Sequence, residues 1–396
     1  MTAVTTPTAD RLDERLARIA LGRVYEPGDH RLSSLAEQLG AVRLVEELRR
    51  QRVDKLESEL ADRLDGVSPR RDLDRAESLG IRFVIPGDPE WPRQIQALAG
   101  LPGGRGRPGV PLGLWVRGPL RLDEVERSVA IVGSRSATSY GAECAAEIAA
   151  EVAMKGFAVV SGAAYGIDQA AHRGALAVRG PSVAVLAGGV DRPYPPSHES
   201  LLAALAAEGA VVSELAPGEH PTKHRFLSRN RLIAALTRGT VVVEAAHRSG
   251  ALNTAAWAGR LNRVLMGVPG PVTSASSTGV HHLLRNGGAA LVTGGAEVLE
   301  LIGGVGEHLP EAPRMAERRH DRLTSDQQGV LDAFGYGEVT SVDALARDAR
   351  LGLVATSVAL NQLAALGLAE RVEGGWRMTP DPALQPALPS DDRSPS

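Results

Sequence analysis

The sequence predicts an α/β fold built on a parallel sheet buried on both faces. Three observations carry that prediction. Between Val129 and Ser249, short apolar runs recur as VAIV, FAVV, SVAVL, GAVV and TVVV. Each run ends in a polar loop, and a helix-forming stretch follows it. The runs are β-branched or apolar after at most one small polar residue, with no polar alternation, as strands covered on both faces are. Ligands on such sheets lie at the carboxyl ends of the strands, so these loops read as one ligand floor.

The elements follow in order. Residues 10–70 read as a small helical module, with Leu12, Leu16 and Ile19, then Leu35 and Leu39, then Val42, Val45 and Leu48 at helical spacing. The α/β domain is expected over 79–304. It opens with the strand-like pieces GIRFVIPGDPEWPRQIQAL and PLGLWVRG, and the Gly/Pro-rich stretch between them, residues 101–111, reads as an exposed insertion. It closes with RVLMGVPG and a helix over 280–285. A polar linker over 305–322 leads to a last domain over 323–380. There TSDQQGVLDAFG has Thr324 or Ser325 as its N-cap and stops at Gly335 and Gly337; SVDALARDA and VATSVALNQLAALG supply two more helices. LAERVEGGWRMT then alternates around Gly374 and Gly375 as a hairpin does. Three helices and a two-stranded ribbon are the pattern of a winged helix. Its third helix, Val354 to Leu366, contains no Lys or Arg, which favours a structural or protein-binding wing over a DNA-groove reader. Residues 381–396 are rich in Pro, Ser and Asp and are expected to be disordered.

Composition narrows the function classes. At 396 residues and 43% hydrophobic content the chain is long enough for two or three domains and at least one large core. Aromatics make up only 3%, so each one merits individual inspection. A net charge of −3 gives no global attraction to nucleic acid, and any polyanion site must be a local patch. The single cysteine, Cys144, excludes an intrachain disulfide framework and a cysteine-rich metal site; on its Ala-rich helix it reads as a buried small hydrophobe. Acids stand where a secretory leader would have an apolar core, and no apolar stretch reaches membrane-spanning length, so a cytoplasmic location with no membrane segment is expected.

The loops indicate phosphate chemistry. In IVGSRSATSYG, Gly133 ends a strand where backbone would approach a ligand closely, and Ser134 and Arg135 stand at the mouth of the next helix. The spaced three-glycine dinucleotide fingerprint and the P-loop are both missing, so no cofactor is expected. SGAAYGID offers Ser161, Gly162, Gly166 and Asp168, with His172 one turn on. An acid/base pair is one reading of Asp168 and His172. An Asp favoured by the helix dipole and a packed His is the stronger one, because no Ser/His/Asp arrangement or metal-ligand partner accompanies them. From Thr222 to Arg263 eight cations face the single acid Glu244: Lys223, Arg225, Arg229, Arg231, Arg238, Arg248, Arg260 and Arg263. Within KHRFLSRNR, Phe226 lies among four of them, a combination suited to clamping backbone phosphates while a base stacks on the ring.

Taken together, these motifs resemble the DprA/Smf family of DNA-processing proteins. The resemblance covers about Leu79 to Ile302 and rests on the order of VAIVGSR, VVSGAAYGID with AH, GGVDRPYP, SELAPG, RFLSRNRLIAAL, VVVEA with SGALNTA, and VPG before TG. It implies an extended Rossmann-like, doubly wound domain, flanked by a SAM-like helical N-terminal domain and a C-terminal winged helix. It also implies a homodimer that binds and protects single-stranded DNA and helps load the recombinase RecA, in natural transformation or recombination, without covalent chemistry. Gly133, Ser134 and Arg135 match the family's phosphate-binding loop; Lys223, Phe226, Arg229, Asn230 and Arg231 match its basic segment; Gly162 and Asp168 match a loop of more architectural character. Leu227 replaces a usual proline, His281 a usual asparagine, and residues 101–111 are an addition to the pattern.

Two rivals share part of this reading. Nucleoside-monophosphate phosphoribohydrolases use a similar sheet, with a glycine-rich loop followed by a glutamate. Here EAAHRSGALNTAAWAG has no carboxylate between Ala245 and Gly259. The other is a scaffold that associates with DNA through its terminal domains.

Overall fold

A computed structural model of the chain describes residues 8–50, 55–102, 108–304, 306–308, 323–335 and 337–379. The tail at 381–396 and nearly all of the linker at 305–322 lie outside the described residues. The chain divides into two compact units, Met1–Pro310 and Glu311–Ser396.

The first unit begins with helices α1 (Thr8–Val24), α2 (His30–Leu39), α3 (Ala41–Arg50), α4 (Lys55–Asp65) and α5 (Pro69–Ser78). Strands β1 (Ile81–Val84) and β2 (Leu114–Arg117) follow. Then come β3 (Ser128–Val132), α6 (Ser139–Met154), β4 (Ala158–Ser161), α7 (Ile167–Ala177), β5 (Ser182–Val185), α8 (Glu199–Glu208) and β6 (Ala210–Ser213). The second half runs through α9 (Lys223–Ala235), β7 (Gly239–Val242), α10 (Ala251–Arg260), β8 (Val264–Gly267), α11 (Thr278–Arg285), β9 (Ala290–Leu291) and α12 (Gly295–Ile302).

Among the described residues the strands form one nine-stranded sheet in the order β1-β2-β6-β5-β4-β3-β7-β8-β9. From β6 to β9 all pairings are parallel, and β2 and β1 extend the edge antiparallel. Strands β3 to β7 are buried along their whole length, which is why they consist mainly of Val, Ile and Ala and carry no charge. Successive side chains point to opposite faces: Ala130 and Val132 join a core with α9 and α10, whereas Val129 and Ile131 join one with α6, α7 and α12. From β3 the chain winds outward through β4, β5 and β6, then returns to pair β7 on the other side of β3. The switch point lies between β3 and β7, and a crevice opens above it.

The N-terminal helices are joined to the sheet. Ile19, Leu73 and Ala76 share a core with Phe83, Trp115 and Leu205, and Arg23 bridges Asp72 at 2.6 Å and Glu219 at 2.8 Å. The expected exposed insertion is partly corrected. Pro108, Gly109 and Pro111 are buried, and a Cβ on Gly109 would stand 2.6 Å from the Asp29 carbonyl oxygen. Residues 103–107 lie outside the described residues.

The second unit holds α13 (Ser325–Asp332), α14 (Val342–Asp348), α15 (Leu353–Ala365) and an antiparallel ribbon of β10 (Ala369–Val372) and β11 (Gly375–Met378). Thr324 caps α13 in a reciprocal capping box with Gln327. Gly374, at φ 92°, makes the ribbon's tight turn, and Trp376 anchors the ribbon in a core with Val330, Leu345 and Leu360. Among the described residues no helix is long and apolar enough to cross a membrane.

Candidate functional site

A cavity of about 730 Å³ opens above the switch point. The loop after β3 (Gly133, Ser134, Arg135), the loop after β4 (Ala164) with the first turn of α7 (Asp168), Tyr194, the cap and first turns of α9 (Thr222, Lys223, Phe226, Asn230) and the loop after β7 (Arg248, Ser249, Gly250) line it. Arg135 and Phe226, far apart in sequence, meet here: the guanidinium carbon lies 5.1 Å from the ring centroid. Arg229 lies 6.0 Å from the same ring, and Tyr194 approaches it with centroids 5.6 Å apart.

Helical geometry sorts the basic segment. Thr222 caps α9 by accepting from the Arg225 N–H, which starts the helix at Lys223. Residues 223, 226 and 230 then fall on one face, at i, i+3 and i+7. Lys223 is exposed at the rim, Phe226 is half-buried, and Asn230 is buried, donating to the Gly250 carbonyl at 3.4 Å and to Asn253 Oδ1 at 3.2 Å. Arg225 leaves this face and pairs with Glu26 at 3.0 Å and Glu219 at 2.8 Å.

Arg231 corrects the expected site. It is fully buried, donates to both carboxylate oxygens of Glu214 at 2.6 Å, and donates to the Gly109 carbonyl at 3.0 Å. One residue beyond Asn230 it is rotated by about 100° about the helix axis, out of the cavity. The dense local positive charge disperses for similar reasons. Arg238 and Arg263 precede β7 and β8, at the strand ends opposite the cavity, and Arg260 lies over Trp257 at 4.1 Å. Of the eight cations, Lys223, Arg229 and Arg248 line the cavity, and Arg135 joins them from the first loop. Arg135, Lys223 and Arg248 are exposed and have no ion-pair partner among the described residues.

Arg229 forms the floor. Its Nη1 donates to the Gly162 carbonyl at 2.8 Å and to the Val185 carbonyl, and its Nε donates to Asn230 Oδ1 at 3.1 Å. Gly162 is thereby buried beneath Arg229 and does not line the cavity; a Cβ there would stand 2.2 Å from Nη1. Burial draws the Arg229 pKa down to about 10, Asp168 opposes and Arg135 adds to the lowering, so the group stays a cation at neutral pH. Asp168 is buried too. Desolvation pushes its carboxyl up, against the pull of Arg229 and of the Ala164, Gly133 and Gly162 N–H groups. His172 is the opposite case: burial lowers it to about 3, with Arg229 and His198 in the same direction, and Nδ1 meets the Ser182 hydroxyl at 2.9 Å. A neutral, enclosed imidazole facing a structural serine is no acid/base partner for Asp168.

Gly133 has a different reason from the ligand approach that the sequence suggests, and Gly141 has a related one. Gly133 makes room for the protein itself, since a Cβ would stand 2.5 Å from Ile167 Cγ1 and 2.9 Å from the Glu244 carbonyl oxygen. Gly141 admits the Glu244 carboxylate at the start of α6, where an added Cβ would lie 2.4 Å from Cδ. Glu244, 2% exposed, accepts from the Thr138 N–H at 2.9 Å, the Thr138 hydroxyl at 2.6 Å and the Ser276 hydroxyl at 3.2 Å. It ties the loops after β3, β7 and β8 together. Sequence reading counted Glu244 only as an acid and Arg248 only as one of the basic patch, and it did not single out Tyr194; an aromatic in GGVDRPYP, in so aromatic-poor a chain, was the available signal. His281 donates from Nε2–H to the Gly270 carbonyl at 2.9 Å and lies outside the cavity lining. Cys144 is half-buried, and desolvation pushes its thiol up, away from the reactive range.

The doubly wound sheet with its crevice at the switch point places the chain in the Rossmann-like class. A family model described as DNA recombination-mediator protein A matches residues 82–303. A putative DNA processing protein DprA of Mycobacterium tuberculosis is 45% identical over 371 residues, covering 90% of this chain and 92% of the relative. Protein Smf of Escherichia coli is 36% identical over 301 residues, covering 74% and 76%. The X-ray structure of DNA processing protein A from Streptococcus pneumoniae superposes with a TM-score of 0.60 at 26% identity, covering 76% of this chain and all of that one. The chain belongs to the DprA/Smf family of DNA-processing proteins.

Proposed function

We propose that the chain binds single-stranded DNA along the cavity above the switch point, protects it, and presents it to a RecA-type recombinase, acting as a homodimer. The observation behind it is the convergence of Arg135, Lys223 and Arg248, exposed and without ion-pair partners among the described residues, around an aromatic pair, Phe226 and Tyr194. Free cations take backbone phosphates, and rings take bases of any identity, so binding follows charge and stacking more than sequence. The family's description as a recombination mediator supports the recombinase as recipient.

The reading includes no covalent step. Asp168 is the carboxylate in the cavity lining, and it is enclosed among backbone N–H groups and Arg229. Glu244 is outside the cavity lining, with its oxygens already accepting from Thr138 and Ser276. A phosphoribohydrolase needs a carboxylate facing the glycosidic bond, and neither of these is so placed.

The test is a titration of labelled oligothymidine at increasing salt. Three cations on phosphates give a log–log slope of about −2 for a single strand. A slope near zero, or release of base from nucleoside monophosphates, would remove the proposal.

A further inference from the structure

We infer that Tyr194 is a base-stacking residue of the cavity, a second aromatic platform beside Phe226. The inference rests on the single-stranded DNA reading above. Phe226 is half-buried, with Arg135 5.1 Å and Arg229 6.0 Å from its ring centroid. A base stacking on Phe226 has to compete with these guanidinium groups. Tyr194 differs: it lines the same cavity, it is 47% exposed, and among the described residues no cation lies over its ring. An exposed ring of this size in a chain with 3% aromatics has little to contribute to packing beyond its tilted contact with Phe226.

Its backbone is held in place before any ligand arrives. Asp191, three residues earlier, accepts from the Gly218 N–H at 2.8 Å and pairs with Arg75 at 3.3 Å; Pro195, directly after, is buried, and its carbonyl accepts from the His198 N–H at 3.0 Å. A ring presented from a fixed loop loses little conformational freedom on binding, which is what makes aromatic side chains effective contacts. The centroid separation of 5.6 Å and the 50° tilt leave the two rings as adjacent facets, suited to two bases whose phosphates reach Arg135 and Lys223.

The experiment is a double comparison by fluorescence anisotropy: wild type and Tyr194→Leu, each titrated with labelled oligothymidine and with an equally long strand of abasic sites. Stacking predicts a loss of about tenfold for Tyr194→Leu on oligothymidine and no loss on the abasic strand. Tyr194→Phe keeps the ring and should bind as wild type does. Equal weakening on both strands would mean that Tyr194 only shapes the loop, and no weakening on either would mean that it does not touch DNA; both overturn the inference. Failure of the wild type to bind oligothymidine at all would instead remove the underlying function.

Discussion

Arg135 and Arg231 show how differently two arginines from motif-like segments are used. Arg135 is exposed on the first loop, with its guanidinium over Phe226. Arg231 is buried in a bidentate pair with Glu214. Removing one partner of a buried pair leaves an uncompensated charge, at a cost of about 3–5 kcal/mol. Arg231→Ala should therefore lower unfolding stability by that amount in urea melts. Arg135→Ala should leave the melt unchanged and weaken oligothymidine binding at low salt by about tenfold, the scale of one charge-assisted phosphate contact. Sequence showed both residues in family-like patterns. What it lacked was the partner: Glu214 lies after β6, on a different element from Arg231, and only the fold brings its carboxylate against α9.

Helices α9 and α7 supply most of the buried polar groups beneath the cavity. The sequence displayed the strands as β-branched and apolar runs and the start of α13 through a cap at Thr324 or Ser325, of which the structure uses Thr324, because such signals are local. The segment KHRFLSRNR was legible as basic and aromatic but not as two faces, since helical rotation decides which cations meet the cavity. On α7, His172 makes stability depend on pH. Its folded pKa of about 3 lies below the ordinary value of 6.5, so the unfolded chain takes up a proton in that interval and the folded chain does not. The stabilisation from keeping the ring neutral is full above 6.5 and is lost as pH falls from 6.5 toward 3, at up to about 1.4 kcal/mol per pH unit. Urea unfolding across this interval should show a shallower pH slope for His172→Leu than for wild type. Parallel slopes would mean that the imidazole is not enclosed as described.

For the whole molecule, the cavity and its walls lie within Met1–Pro310. A chain ending at Pro310 should keep a cooperative melt and bind oligothymidine with an unchanged salt slope; loss of binding would move the DNA contact to the second unit. The third helix of that unit, α15, exposes Leu353, Val354 and Val358 and carries no Lys or Arg, consistent with little phosphate affinity of its own. By itself the sequence determined the parallel sheet, the order of its loops and the family, because strand burial and loop chemistry are written in consecutive residues. Only the tertiary structure decided which cations remain free, that Gly133 and Gly162 accommodate protein atoms, that Glu244 ties three loops, and that Tyr194 borders the cavity. Those outcomes depend on contacts between residues far apart in the chain, and a charge or a ring acquires its role from what the fold places against it.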